Sequence, residues 1–183
     1  MKEPFKTDLE AIRQRARDHM ADGAVTEANL ADAERVIAVL QDVLATEIVC
    51  VLRYKNHYYM ASGLDSAGVA DEFLKHAAEE QSHADWVSAR IVQLGGKPNL
   101  NPEGLATRAH AEYAEGDTLE EMLKEDLVAE RIAIETYAEI IRWIEDDDPT
   151  TRQLMVDILK MEEEHADDIA SLLGRIIKNS SGA

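Results

Sequence analysis

Four long stretches of the chain repeat apolar residues at alternating steps of three and four, the spacing of one face of an α-helix. The clearest runs through Met155, Ile158, Glu162, His165, Ile169, Leu172 and Ile176. A second follows Phe73, His76, Glu80, His83, Val87 and Leu94, a third Leu40, Val43, Glu47, Cys50, Tyr54 and Ala61, and a fourth Leu123, Leu127, Glu130, Ile134, Tyr137, Ile141 and Ile144. Punctuation sets the bounds. Thr7 with Glu10 has capping-box spacing and predicts a short helix over about 7–22, ended by Gly23. Long helices are predicted over about 27–62, stopping near Gly63, and from Ser66 to Gly95-Gly96 with Pro98 beyond. Thr118 with Glu121 opens a third over about 118–146. Asp148 as N-cap and Pro149 at the first helical position open the fourth, which runs to about 177.

Helices of this length suit a bundle more than an ordinary globular core. The expected fold is all-α: an antiparallel four-helix bundle with a long crossover between its second and third helices and a short extra helix at the N-terminus. The domain reading is an extension over 1–26, the bundle over 27–178, and a disordered tail over 179–183.

Each stripe is interrupted at mid-length by a glutamate: Glu47, Glu80, Glu130 and Glu162. Two of the stripes add a histidine three residues later, His83 and His165. An ionised carboxylate in an apolar interior costs many kcal/mol unless it is paired, protonated or on a metal. Four on facing helices repel one another as well. A pair of divalent or trivalent cations resolves both problems, and four carboxylates with two imidazoles are the donor set of a di-iron or di-manganese carboxylate site. Glu80 and Glu162 are placed to bridge the metals. Glu47 and Glu130 are placed as terminal carboxylates, and His83 and His165 give one nitrogen to each metal. Glu79, Glu163 and Glu164 read as neighbours of the centre or as exposed residues.

The formal net charge of −18 suits gathering cations and makes DNA or an acidic membrane surface a poor partner. Lys2, Lys6, Arg13, Arg15 and Arg17 make the N-terminus locally basic, but Asp8, Glu10 and Asp18 dilute it. The one cysteine, Cys50, rules out an intrachain disulfide and reads as a small core residue. No stretch reaches the roughly 18 apolar residues of a membrane span, and the N-terminus lacks a signal-peptide pattern, so a cytoplasmic location is expected.

At these residues the sequence resembles the bacterioferritin branch of the ferritin-like superfamily. "EEQSHADW" followed by "IVQLGGKPNL" resembles that family's second helix and its exit, "EEEHADDI" its fourth-helix motif, and Glu47 precedes Glu80 by the family's 33 residues. Tyr54 falls where the family keeps a tyrosine beside the di-iron centre. It either donates an electron or a hydrogen bond there, or packs the seam. The resemblance implies two iron ions per subunit, with manganese or zinc able to take their place, oxidation of Fe2+ by O2 or H2O2, protection from peroxide, and ferric mineral held in a homo-oligomeric shell.

Two departures bear on this. Bacterioferritins bind haem through a methionine immediately after the bridging glutamate of the second helix. Here that residue is Gln81, a poor soft ligand, so no haem is expected. The chain also ends 18 residues after His165, without the further helix that helps close a 24-subunit cage. That ending, with the extra N-terminal helix and long crossover, is similar to Dps-type mini-ferritins and favours 12 subunits. The competing function is a di-iron or di-manganese redox enzyme, such as a peroxidase, catalase or oxygenase, without storage.

Overall fold

The computed structural model describes residues 4–62 and 66–181, and the side chains as far as Lys178. Six helices and no strand occur among the described residues: α1 Leu9–Asp18, α2 Ala33–Met60, α3 Ser66–Gln93, α4 Leu105–Arg108, α5 Leu119–Ile144 and α6 Pro149–Ser181. The stop expected at Gly63 lies outside the described residues. α6 stays helical past 177, so the tail expected over 179–183 is helix as far as Ser181.

Caps decide where these helices start. α1 is shorter than expected at both ends: it starts later because Asp8 rather than Thr7 accepts from the Ala11 N–H, and it stops at Asp18, with His19 as its C-cap, instead of near 22. α2 begins six residues later than expected, where Asp32 accepts from Glu34 and Arg35. Both later starts follow from aspartate being the better N-cap. The capping box at Thr118 and Glu121 is present as read. α3 exits through Gly95 at φ +87, a left-handed conformation that favours glycine.

α2 packs chiefly on α3 and α5 on α6, with further contacts of α2 to α5 and of α3 to α6. The N-terminal half of α2 shares a core with the C-terminal halves of α3 and α5 and the start of α6: Val36, Leu40, Val43, Val87, Ile91, Tyr137, Ile144, Met155 and Ile158 belong to it. The opposite end is closed by a second core of Cys50, Tyr54, Val69, Phe73, Met122, Leu123 and Ile169. α2 is therefore antiparallel to α3 and α5, and α3 is parallel to α5. That last relation forces the chain to travel the length of the bundle between them. It does so along α2. Gln41 donates to the Lys97 carbonyl at 2.8 Å, the His110 N–H donates to Thr46 at 2.9 Å, and Arg53 donates to the Glu112 carbonyl at 3.1 Å. Leu105 of α4 packs with Ala45 and Val49.

The stripe read on the third long helix is shifted in part. Leu123, Glu130, Tyr137 and Ile144 are buried, but Leu127, Ile134 and Ile141 are half-buried, and Asp126, Ala133 and Ile140 lie deeper. An aspartate counts as polar in any pattern, yet Asp126 is fully buried because α2 supplies its partners. Arg53 Nε donates to Oδ1 at 2.9 Å, and His57 Nδ1 lies 2.8 Å from Oδ2.

Candidate metal centre

Between the two apolar cores lies one polar layer. Glu47, Glu80, His83, Glu130, Glu162 and His165 are each no more than 2 % exposed and come from all four long helices. The i, i+3 spacing puts Glu80 and His83 on one face of α3, and Glu162 and His165 on one face of α6. Antiparallel packing then sets the two pairs opposite each other.

The donor atoms sort into two groups. Ligand atoms from Glu47, Glu80, His83 and Glu162 lie within 4.8 Å of one another, as do those from Glu80, Glu130, Glu162 and His165. His83 Nδ1 sits 3.2 Å from Glu47 Oε2, 3.1 Å from Glu80 Oε2 and 3.1 Å from Glu162 Oε1. His165 Nδ1 sits 3.4 Å from Glu80 Oε1, 3.5 Å from Glu162 Oε2 and 3.9 Å from Glu130 Oε2. Glu80 and Glu162 thus turn one oxygen to each histidine. Donors about 2.1 Å from one octahedral cation stand about 3 to 4.2 Å apart, the range found here. Among the described residues, Glu80 Oε1, Glu162 Oε1 and His165 Nδ1 are buried without a hydrogen bond, which suits a donor set turned toward cations.

Burial, with the Glu162 and Glu80 charges, pushes the Glu47 carboxyl well above the usual range, and the same three causes act on Glu130. Burial also resists ionisation of Glu80, but the facing His165 and His83 rings outweigh it and hold that carboxyl low. Burial opposes a charge on the rings too. The facing glutamates overcome it, driving His83 strongly upward and His165 up to about 11.

Each outer carboxylate is held by a tyrosine from across the bundle. The Tyr54 hydroxyl donates to Glu130, and the Tyr137 hydroxyl donates to Glu47. Tyr54 therefore serves the helix opposite Glu47 rather than Glu47 itself. Tyr137 was legible only as packing, although one signal was there: tyrosine follows glutamate by seven residues in both 47–54 and 130–137. The outward nitrogens differ. His165 Nε2 lies 3.0 Å from Glu79 Oε2, whereas His83 Nε2 lies 3.2 Å from Met161 Sδ. Glu163 and Glu164 are exposed. Gln81 is also exposed and donates to Asp85 at 3.1 Å. No helix among the described residues is long and apolar enough to cross a membrane.

Comparison with known proteins agrees with this architecture. The Ferritin-like domain family model matches residues 37–178. The DNA protection during starvation protein of Pyrococcus furiosus is 32% identical over 140 residues, covering 73% of this chain and 74% of that one. The bacterioferritin of Desulfovibrio desulfuricans is 27% identical over 132 residues, covering 72% and 70%. Among solved structures, the dodecameric thioferritin of Bacteroides fragilis, a bacterioferritin-related protein, superposes with a TM-score of 0.79 at 30% identity, covering 84% of this chain and 92% of its own. Dps from Thermosynechococcus elongatus superposes at 0.73 with 21% identity, which bears on the fold alone. The bundle, its crossover and the extent of these matches place the chain in the ferritin-like family, a family of iron-binding proteins.

Proposed function

We propose that this protein is a ferroxidase. It takes two Fe2+ as substrate in each subunit, oxidises them with O2 or H2O2, and holds the ferric product in a shell of 12 subunits. The observation that carries the reading is the pair of four-donor groups sharing Glu80 and Glu162 inside one chain. Glu47 and His83 would complete one iron's ligands, and Glu130 and His165 the other's. Each Fe2+ gives up one electron. H2O2 takes the two electrons with two protons and leaves as two waters, a reaction that removes peroxide. O2 takes the same two electrons and two protons and becomes H2O2.

The protein's part is positional. Carboxylate oxygens are hard donors that favour Fe3+ and so lower the cost of oxidation. Tyr54 and Tyr137 hold the outer carboxylates in place, and the apolar cores on either side keep bulk water from the layer. The shell is supported by the dodecameric assembly named for the Bacteroides fragilis relative.

Aerobic addition of Fe2+, followed by ferric absorbance, tests the chemistry. The rate should fall at least about tenfold in Glu130→Ala, and an unaltered rate overturns the assigned centre. Light scattering tests the shell. The expected particle contains about twelve 20.4 kDa chains, whereas a monomer or dimer would favour a redox enzyme without storage.

A further inference from the structure

His76 lies one turn before Glu80 on α3 and takes no part in the centre described above. It is fully buried, and among the described residues neither ring nitrogen makes a hydrogen bond. Its ring stacks on that of His165, with centroids 4.1 Å apart and planes 23° from parallel. Nε2 points at two acidic groups nearer the surface, 3.3 Å from Glu72 Oε1 and 3.9 Å from Asp168 Oδ2. The same two oxygens are shared by the half-exposed Lys75 ammonium, at 2.7 Å and 3.4 Å. One imidazole nitrogen and two carboxylate oxygens therefore converge, with a lysine cation resting at their outer edge. Donor atoms of Glu72, His76 and Asp168 fall within 4.8 Å of one another.

A buried imidazole without a hydrogen bond costs free energy that a metal ion would recover. Two carboxylates beside one ammonium also leave a charge that a divalent cation would cancel. We propose that Glu72, His76 and Asp168 form a third divalent-cation site, which Lys75 occupies in the cation's absence and yields on binding. The site feeds the His165 half of the centre. His76, Glu79 and His165 offer donors within 4.8 Å of one another, and so provide the next step inward. Beyond them lie Glu80, Glu130 and Glu162. His165 is common to both of these inner groups, so a cation moves inward by exchanging ligands rather than by crossing an apolar gap. The feeding role rests on the proposed ferroxidase reading. The site itself does not.

Zn2+ separates the two, since it has no redox chemistry. Crystals of the metal-free protein soaked in Zn2+ should give an anomalous peak between Glu72, His76 and Asp168, apart from two peaks at the centre. Glu72→Gln and Asp168→Asn alter half-buried and exposed residues, so the fold is not at stake. Each should remove the outer peak and reduce calorimetric stoichiometry from three Zn2+ per chain to two. Lys75→Met should tighten the outer site about threefold or more by removing the competing ammonium. Two peaks at the centre with nothing at His76, or a stoichiometry indifferent to Asp168→Asn, overturns this site and leaves the ferroxidase reading standing. A peak at His76 with an empty centre supports the site and overturns that reading. Stopped-flow mixing with Co2+ tests the feeding. The visible absorption of centre-bound Co2+ should rise several-fold more slowly in Asp168→Asn, and an unchanged rise refutes the inward route.

Discussion

Tyr54 and Tyr137 occupy matching places on opposite sides of the polar layer, each reaching across the bundle to a carboxylate on another helix. Partners that orient a ligand are typically worth 10- to 100-fold in metal affinity. Tyr137→Phe should weaken Zn2+ binding in the Glu47–His83 half by roughly that factor, read from a calorimetric titration, with the other half less affected. The two histidines differ more. Glu79 steadies His165 through a carboxylate contact, while among the described residues a thioether lies beside the outer nitrogen of His83. Glu79→Gln should therefore weaken the His165 half about tenfold, whereas Met161→Leu, nearly isosteric, should change the His83 half by less than about threefold. The six candidate ligands are legible because a glutamate at mid-length of each stripe, with a histidine three residues on in two of them, stands out from apolar neighbours; His76, in the same seam, carries no such spacing. The residues that steady them are harder to read. A tyrosine in a seam looks the same whether it packs or donates, and the partner that decides lies on another helix.

Two buried ion pairs fasten the elements to one another, one toward each end of the bundle. Asp126 on α5 receives Arg53 and His57 from α2. Removing the carboxylate leaves a guanidinium buried and unpaired, so Asp126→Ala should cost about 3 to 5 kcal/mol in denaturant unfolding of the metal-free protein. Toward the other end, Arg90 grips both oxygens of Asp148 at 2.8 and 2.9 Å, and Asp148 also accepts from the Thr151 N–H at the start of α6. Burial would raise this carboxyl, but the bonds from Thr151 and then Arg90 outweigh it and hold it below its ordinary value. The stability it contributes is therefore complete above roughly pH 4 and is lost as pH falls through the lower folded value. Asp148→Asn keeps a good cap but loses the charge-assisted bonds to Arg90, so it should cost about 1.5 to 3 kcal/mol at pH 7, and the difference from wild type should shrink in acid. A difference that stays constant to pH 2 would count against this pairing. Asp148 was legible because Asp-Pro before an apolar run marks a helix start. Asp126 was not, since nothing local distinguishes a buried aspartate from a solvated one.

At the scale of the molecule, connectivity followed from punctuation, and the crossover from its length and composition. Exposed apolar side chains on the bundle helices, among them Leu52, Tyr59, Trp86, Val92 and Val128, are what a periodic pattern cannot interpret. They break no stripe and carry no signature of what covers them. Stability of the whole should depend on cations. Zn2+ at 100 times its dissociation constant adds about 2.7 kcal/mol for each site filled, or a rise in melting temperature of roughly 5 to 10 °C for a chain of this size. Scanning calorimetry before and after chelation measures it, and equal melting temperatures would mean that the layer binds nothing in the folded state.

The two apolar cores carry a mechanical implication. A rod clamped at both ends and ionic at its waist can swell and narrow in the middle while its ends stay fastened. Ions can then come and go, and ligands can trade protons for cations, without the chain ever coming close to unravelling.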